Sequence, residues 1–121
     1  MKQYSLDFCD FVHHENGVLE VIVHEGVEIT SDMAHEFLGA IDNIEPKVVA
    51  ALVNRKNNYS YTFSANFILA KANSVKYLAI VNYRKLMWPL KGAFFPKKYR
   101  IAFFDNTEEA TEWLLFKLNE K

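Results

Sequence analysis

The fold is decided by two apolar runs, Val48-Val49-Ala50-Ala51-Leu52-Val53 and Tyr77-Leu78-Ala79-Ile80-Val81. Because neither run alternates with polar residues, both are predicted to be central strands of a parallel sheet that is covered on both faces. Each run is followed by a polar, basic tail, Asn54-Arg55-Lys56 after the first and Asn82-Tyr83-Arg84-Lys85 after the second. Parallel strands end at one edge of a sheet, so we expect the two tails to lie close together.

Upstream of these runs, the chain predicts an antiparallel hairpin. Residues 3–12 and 18–24 each alternate between apolar and polar positions, and Asn16-Gly17 lies between them. Asn-Gly favours a two-residue turn because both positions tolerate positive φ. In that register Cys9 faces His24, and the apolar residues of the two strands share one face.

Helical spacing of apolar residues predicts about four helices around the strands. Thr30-Ser31-Asp32 caps the first helix, which Pro46 ends, and Asn106 caps the last. The second helix runs to about residue 73 and is expected to be well buried, with Phe63 and Phe67 on one face; the third begins near residue 83. Together with a last parallel strand over 100–104, the pattern is α/β, with a single mixed sheet of about five strands.

The charge of the chain is unevenly distributed, although its net charge is only −1. Residues 1–45 carry ten acids and one base, whereas residues 46–104 carry eleven bases and no acid. Neutralisation between these two blocks is favoured over a standing basic patch. A nucleic-acid partner is therefore not expected.

Signals for compartment, cofactor and catalysis are sparse. A single cysteine, Cys9, excludes an internal disulfide and fits a reducing compartment, and no signal peptide or membrane-spanning run is found, so a cytoplasmic location is predicted. Four glycines and no phosphate-binding or nucleophile motif predict no cofactor and no enzymatic activity. The hairpin residues Cys9, His13, His14 and His24 point in divergent directions, so no metal site is predicted.

Three segments are similar to STAS domains, the fold of bacterial anti-sigma-factor antagonists and of sulfate-transporter cytoplasmic tails. They are the Asn16-Gly17 hairpin, the run Val48–Val53 with its polar exit, and residues 103–114, which read FFDNTEEATEWL. The resemblance is to the free-standing bacterial branch, which is also grouped with CRAL-TRIO lipid-binding folds. It implies one STAS-like domain over residues 1–121 that acts as a regulatory or protein-interaction module.

The regulatory members of that family carry an Asp at the end of the first central strand and a phosphorylatable Ser before a glycine-containing helix start. Here Asn54 replaces the Asp, and no glycine opens the next helix. The resemblance leaves Ser60, Thr62 and Ser64 as candidate phosphoacceptors. The alternative is that one of them is an ordinary helix N-cap.

The carboxyl edge of the sheet is the predicted binding site, because open α/β sheets bind ligands there. The residues that would bind an anion or an acidic partner are Asn54, Arg55, Lys56, Tyr59, Asn82, Arg84 and Lys85. They could instead be solvated loop residues paired with acids. The function is expected to be protein–protein contact, or alternatively transport or sensing of a small anionic or lipid-like ligand.

A second surface is predicted around Trp88 and Phe95, which fall away from the core-facing stripe of the third helix. An aromatic pair surrounded by lysines suggests a homodimer contact or docking on an anionic membrane surface. Burial under a neighbouring loop is the third alternative, and membrane contact is the least favoured of the three.

Overall fold

The computed structural model describes residues 1–71, 75–83 and 100–119. Eight strands and three helices lie within these residues. The strands are β1 (Lys2–Ser5), β2 (Cys9–His13), β3 (Val18–Val23), β4 (Glu28–Ile29), β5 (Ala50–Asn54), β6 (Ser60–Tyr61), β7 (Tyr77–Val81) and β8 (Arg100–Phe104). The helices are α1 (Ser31–Asp42), α2 (Phe63–Lys71) and α3 (Thr107–Leu118).

The main sheet has six strands in the order β1-β2-β3-β5-β7-β8. The pairs β1–β2 and β2–β3 are antiparallel, and the remaining neighbours are parallel. The predicted mixed sheet is thus confirmed, but it has six strands because the N-terminal segment folds back on itself. It is not a single sheet as predicted, because β4 and β6 form a separate parallel pair. A turn closed by the Leu6 N–H, which donates to the Cys9 carbonyl at 2.9 Å, separates β1 from β2.

The hairpin between β2 and β3 is confirmed, but the predicted register is wrong by one residue. Cys9 pairs with Val23 rather than His24. The loop has three residues, because the His14 N–H donates to the Val18 carbonyl and the Gly17 N–H to the His14 carbonyl, each at 3.0 Å. Gly17 adopts a φ of 94°, which only glycine tolerates easily. The shift turns Cys9 and Phe11 into the core.

The helices cover the two faces of the sheet unequally. On one face α1 and α2 pack against each other, and their core includes Phe11, Leu19 and Val21. On the other face α3 packs on β5 and β7, with Leu114 fully buried in that core. Alternate residues of the parallel strands enter opposite cores, which explains why the two central runs are apolar throughout.

Local signals placed most of the boundaries correctly. The Thr30 hydroxyl accepts from the Met33 N–H at 3.3 Å, and Asn106 Oδ1 accepts from the Glu109 N–H at 2.8 Å, so both predicted caps are confirmed. The strands over Tyr77–Val81 and Arg100–Phe104 are confirmed, whereas the first central strand begins two residues later than predicted. Beyond Tyr83, the predicted third helix lies outside the described residues.

Candidate functional site: the carboxyl edge of the sheet

The tails of the two central strands meet at one edge of the sheet. Asn54 pairs with Val81 in the parallel register of β5 and β7. The Arg55 N–H then donates to the Val81 carbonyl at 2.9 Å. The Asn82 N–H donates to the Phe104 carbonyl of β8 at 3.0 Å. Of the predicted edge residues, Arg84 and Lys85 lie outside the described part of the chain.

The Asn54 side chain points into the protein and belongs to a polar chain of four residues. It is 6% exposed; its Nδ2 donates to Glu20 Oε2 at 2.8 Å, and its Oδ1 accepts from the Tyr83 hydroxyl at 3.0 Å. Glu20 Oε1 in turn lies 2.9 Å from His14 Nε2. Asn54 therefore connects β3 and β5 to Tyr83, and both ends of its amide are bonded within the protein.

Arg55 lies on the opposite face of the sheet, next to two tyrosines of the α1/α2 core. Its guanidinium carbon is 4.7 Å from the Tyr59 ring centroid and 6.0 Å from that of Tyr61, both within cation–π range. The two rings meet edge to face at 5.4 Å, and their hydroxyl oxygens are 3.2 Å apart. We call Arg55, Tyr59 and Tyr61 the Arg55 cluster.

Burial keeps Cys9 and the two tyrosines of the cluster protonated. Burial raises the pKa of Tyr59 and of Tyr61, so both hydroxyls stay neutral near pH 7. Burial, followed by the charges of Asp10 and Glu36, raises the pKa of Cys9 to about 12. Cys9 is thus a protonated, poorly nucleophilic thiol, and the Arg55 cluster combines a permanent cation with neutral O–H donors.

Ion pairing does not explain the position of Arg55. The salt bridges found within the described residues join Glu15, Glu20 and Asp10 to the N-terminus, His14 and His24, respectively. The guanidinium makes one hydrogen bond in this part of the chain, a long one of 3.4 Å from Nη2 to the Tyr59 carbonyl. Within the described residues, Arg55 is therefore not paired with an acid, contrary to the alternative interpretation.

The candidate phosphoacceptors occupy three different settings. Thr62 is the N-cap of α2, because its hydroxyl accepts from the Ala65 N–H at 3.1 Å. Ser60 is exposed in the short strand β6, and Ser64 is exposed in the first turn of α2. The N-cap alternative is thus confirmed for Thr62, while Ser60 and Ser64 are accessible.

Two phenylalanines of α2, which we call the α2 aromatic surface, face outward. Phe63 is 86% exposed and Phe67 is 53% exposed, whereas Ala65 is fully buried. The prediction that α2 is well buried is therefore wrong for these two residues. The helix is apolar on several sides, so its rotation is set by tertiary contacts: β6 pairs with β4, and Ala65, Ile68 and Leu69 pack into the core.

The remaining predicted sites divide between the hairpin and the segment outside the described residues. Cys9 enters the core, whereas His24 Nε2 lies 3.2 Å from Asp10 Oδ2. Across the described ranges, no group of three or more His, Cys, Asp or Glu residues could hold a metal ion. Trp88 and Phe95, the predicted dimer face, lie outside those ranges. No helix in them is long and apolar enough to cross a membrane.

Sequence reasoning did not place four residues in these networks, namely Glu20, His14, Tyr83 and Tyr61. Glu20 was one of the polar positions of an alternating strand, and nothing local indicated that it would meet Asn54, which is 34 residues away. Tyr61 is in β6 and Tyr59 directly precedes that strand, and a spacing of two residues places both rings on one side of an extended segment. That period-two spacing is the signal that could have found the tyrosine pair.

Comparisons with known proteins bear on the fold. No family model matches the sequence, and no curated protein is recognisably similar to it. A solved structure is similar: an uncharacterised protein of the DUF3478 family with a SpoIIAA-like fold, from Shewanella loihica PV-4. The TM-score is 0.62 at 16% sequence identity, over 88% of this chain and 91% of that chain. The chain therefore has a SpoIIAA-like, that is STAS-like, α/β fold.

Proposed function

We propose that the protein is a non-enzymatic STAS-like interaction module that binds another protein through the α2 aromatic surface. The observation that carries the proposal is the exposure of Phe63, whose side chain is 86% exposed at the first position of α2. Burying a phenylalanine side chain is worth about 1.5–3 kcal/mol, so a partner that covers Phe63 gains most of that free energy. Aromatic side chains are also typical of the energetic centres of interfaces.

The surroundings of Phe63 favour a partner with an apolar pocket and a polar rim. Ser60, Ser64 and Asn66 provide exposed polar groups next to it in the chain. Glu28, which is also exposed, pairs with Ser60 across the two short strands β4 and β6. The partner therefore meets hydroxyl, amide and carboxylate groups around the apolar contact, and polar groups in its own rim would match them.

The STAS resemblance supports the same location. In the regulatory members, the phosphorylatable Ser precedes the helix that corresponds to α2. Here Ser64 lies in the first turn of α2 and directly follows Phe63, so phosphorylation of Ser64 would place negative charge beside the aromatic contact and weaken binding of an apolar group there. The neutral tyrosines and the protonated Cys9 thiol also support a role without covalent chemistry.

The test uses a matched pair of exposed phenylalanines. Phe116 is 64% exposed on α3, which covers the other face of the sheet. A photo-crosslinking amino acid at position 63 or 116 identifies neighbouring proteins in the native host. The captured partner is then purified, and its affinity for the wild type, Phe63→Ser and Phe116→Ser is measured by calorimetry.

We expect Phe63→Ser to weaken binding by about tenfold or more, and Phe116→Ser to change it less than about twofold. Equal effects of the two substitutions would contradict the proposal. A crosslink from position 63 only to a second copy of the chain would also overturn it, because the contact would then be a homodimer interface. A dimer through Trp88 and Phe95 is a separate prediction, tested by sedimentation of the wild type against Trp88→Glu.

A second candidate function is a carrier or sensor for a small anionic or amphipathic ligand. It is favoured by the Arg55 guanidinium, which has no carboxylate within salt-bridge distance in the described part of the chain. Native mass spectrometry of the protein from its own host tests this candidate. A stoichiometric small molecule supports it, and a ligand-free protein contradicts it.

A further inference from the structure

We infer that the Arg55 cluster is a binding site for one small oxyanion, a carboxylate or a phosphate monoester. The inference rests on the second candidate function, and it names the side chains and the ligand chemistry. The anion would be held by the in-plane N–H groups of Arg55 and by one tyrosine hydroxyl of the Tyr59–Tyr61 pair.

Most donors of the guanidinium make no hydrogen bond to the described residues. The guanidinium carbon lies 4.7 Å from the Tyr59 ring centroid, and this cation–π contact does not depend on a hydrogen-bond acceptor. Of its five N–H donors, one makes the 3.4 Å contact with the Tyr59 carbonyl. A planar fork of this kind matches the two oxygens of a carboxylate or phosphate. Because Arg55 is half-buried, an anion beside it is less screened than at an open surface.

The tyrosine pair supplies a further donor. Its two hydroxyls carry two protons, but they form one hydrogen bond with each other at 3.2 Å. Whichever hydroxyl donates in that bond, the proton of the other points elsewhere, and the described residues provide it with no acceptor. Burial keeps both hydroxyls protonated. An oxyanion is an acceptor that this remaining O–H can reach together with the guanidinium.

The backbone around the cluster is held in place without a ligand. The Arg55 N–H is bonded to the end of β7. The Ser60 and Thr62 N–H groups donate to the Val27 and Ile29 carbonyls at 3.0 and 2.9 Å, which fixes the segment that contains both tyrosines. A preorganised site binds more tightly, because less conformational entropy is lost on binding.

Two nearby acids make contacts of their own, and the nearby thiol is neutral. Glu25 Oε1 accepts from the Asn58 N–H at 3.0 Å, and Asp10 is bonded to Ser5 and His24. Cys9 is buried in the same core, and its raised pKa keeps it protonated. None of these groups pairs with Arg55 in the described part of the chain.

The experiment is an NMR titration of the full chain at pH 7 with inorganic phosphate, acetate and phenyl phosphate, at constant ionic strength. The Arg55 Nε–H signal and the tyrosine ring signals report on the site. Phosphate and acetate test the charge alone, and phenyl phosphate tests an anion with an apolar body. Lys56→Gln is the matched control for Arg55→Gln, because it removes the same charge from the next residue, which is exposed.

We expect saturable binding of at least one anion, which Arg55→Gln weakens by about tenfold and Lys56→Gln by less than about twofold. Tyr61→Phe should weaken binding by about threefold to tenfold, because it removes one of the two hydroxyls. If Arg55→Gln fails to fold, Arg55→Lys keeps the charge, loses the planar fork, and should still bind several-fold more weakly.

Two results would overturn the inference: no saturable binding of any of the three anions, or equal losses for Arg55→Gln and Lys56→Gln. Both results can be told apart from a failure of the second candidate function. The carrier or sensor function is contradicted when native mass spectrometry finds no small molecule on the protein from its host, even if the added anions bind at Arg55. The site fails when the host protein carries a ligand whose affinity Arg55→Gln does not change.

Discussion

Replacing Asn54 with Asp is expected to lower the free energy of unfolding by about 2–4 kcal/mol at pH 7. The substitution keeps the shape of the side chain but exchanges the N–H donor that binds Glu20 Oε2 at 2.8 Å for a carboxylate oxygen. Two negative charges would then face each other in a site where Asn54 is 6% exposed. The bond from the Tyr83 hydroxyl is kept, because a carboxylate oxygen also accepts.

The magnitude combines two terms. Two unit charges about 4 Å apart repel by about 4 kcal/mol at an effective dielectric constant of about 20. A lost hydrogen bond to a charged group adds about 1.5–3 kcal/mol. Glu20 is 20% exposed and the carboxylates can move apart, so both terms are reduced and the lower range given above is expected. A domain of this size withstands such a loss and remains folded.

The assay is urea unfolding at pH 7 and at pH 4.5, with every value referred to the wild type at the same pH. The difference between Asn54→Asp and the wild type should shrink at pH 4.5, because protonation of either carboxyl restores an O–H donor for the other. Asn66→Asp is the matched control, since Asn66 is exposed on α2, and its effect should stay within about 0.5 kcal/mol.

A double variant makes the test decisive. Glu20→Gln with Asn54→Asp exchanges donor and acceptor: the amide introduced at position 20 can donate to the carboxylate introduced at position 54, while the amide oxygen still accepts from His14. We expect the double variant to recover stability to within about 1 kcal/mol of the wild type. If the double variant is no more stable than Asn54→Asp alone, the contact does not carry the energy assigned to it.

Three further predictions concern the core and the titrating groups. Phe11→Ala should lower the free energy of unfolding in urea by about 3–5 kcal/mol, because Phe11 is fully buried with its ring 5.4 Å from that of Phe37. Phe116 is exposed, so Phe116→Ala should lower it by less than about 0.5 kcal/mol. Similar losses for the two variants would contradict the assignment of the core. Burial, followed by the charges of Lys2 and His14, lowers the pKa of His13 below its ordinary value of 6.5. The contribution of His13 to stability is therefore complete above pH 6.5 and is lost as the pH falls through the lower folded-state pKa. His13→Gln should flatten the fall in thermal midpoint between pH 7.5 and 5, and an unchanged slope would refute this prediction. Cys9, with its pKa raised to about 12, should react with a thiol reagent at pH 8 at least about 100-fold more slowly in the native than in the urea-unfolded protein, and equal rates would show that the thiol is accessible.

The hairpin illustrates how far local patterns reach. Asn16-Gly17 correctly placed a turn between two strands, but a two-residue and a three-residue loop both use a glycine with positive φ. The choice between them decides which face of β2 meets the helices, and it depends on how well Phe11 and Cys9 pack against α1 and α2. That packing involves residues distant in sequence, so the register could not be obtained from the turn.

The candidate site shows the same division. The convergence of the two strand tails followed from the order of apolar runs, because parallel neighbours end at a common edge. The sequence placed Asn54 and Arg55 in one binding surface, whereas the sheet separates them: Asn54 points toward the α3 face, and Arg55 lies against the tyrosines on the α1/α2 face. Residues adjacent in a strand point to opposite faces of the sheet. The sequence does not say which face is covered by α3 and which by α1 and α2, so it could not separate the two side chains.

The sequence by itself determined the central strands, the caps of the first and last helices and the mixed α/β architecture of this protein, because these depend on residues within a few positions of one another. Only the tertiary structure decided the register of the hairpin, the rotation of α2 that exposes Phe63, the burial of Asn54 and the stacking of Arg55 on Tyr59. Each of these depends on contacts between segments far apart in the chain. Their free energy is a balance of packing and desolvation that no short pattern contains.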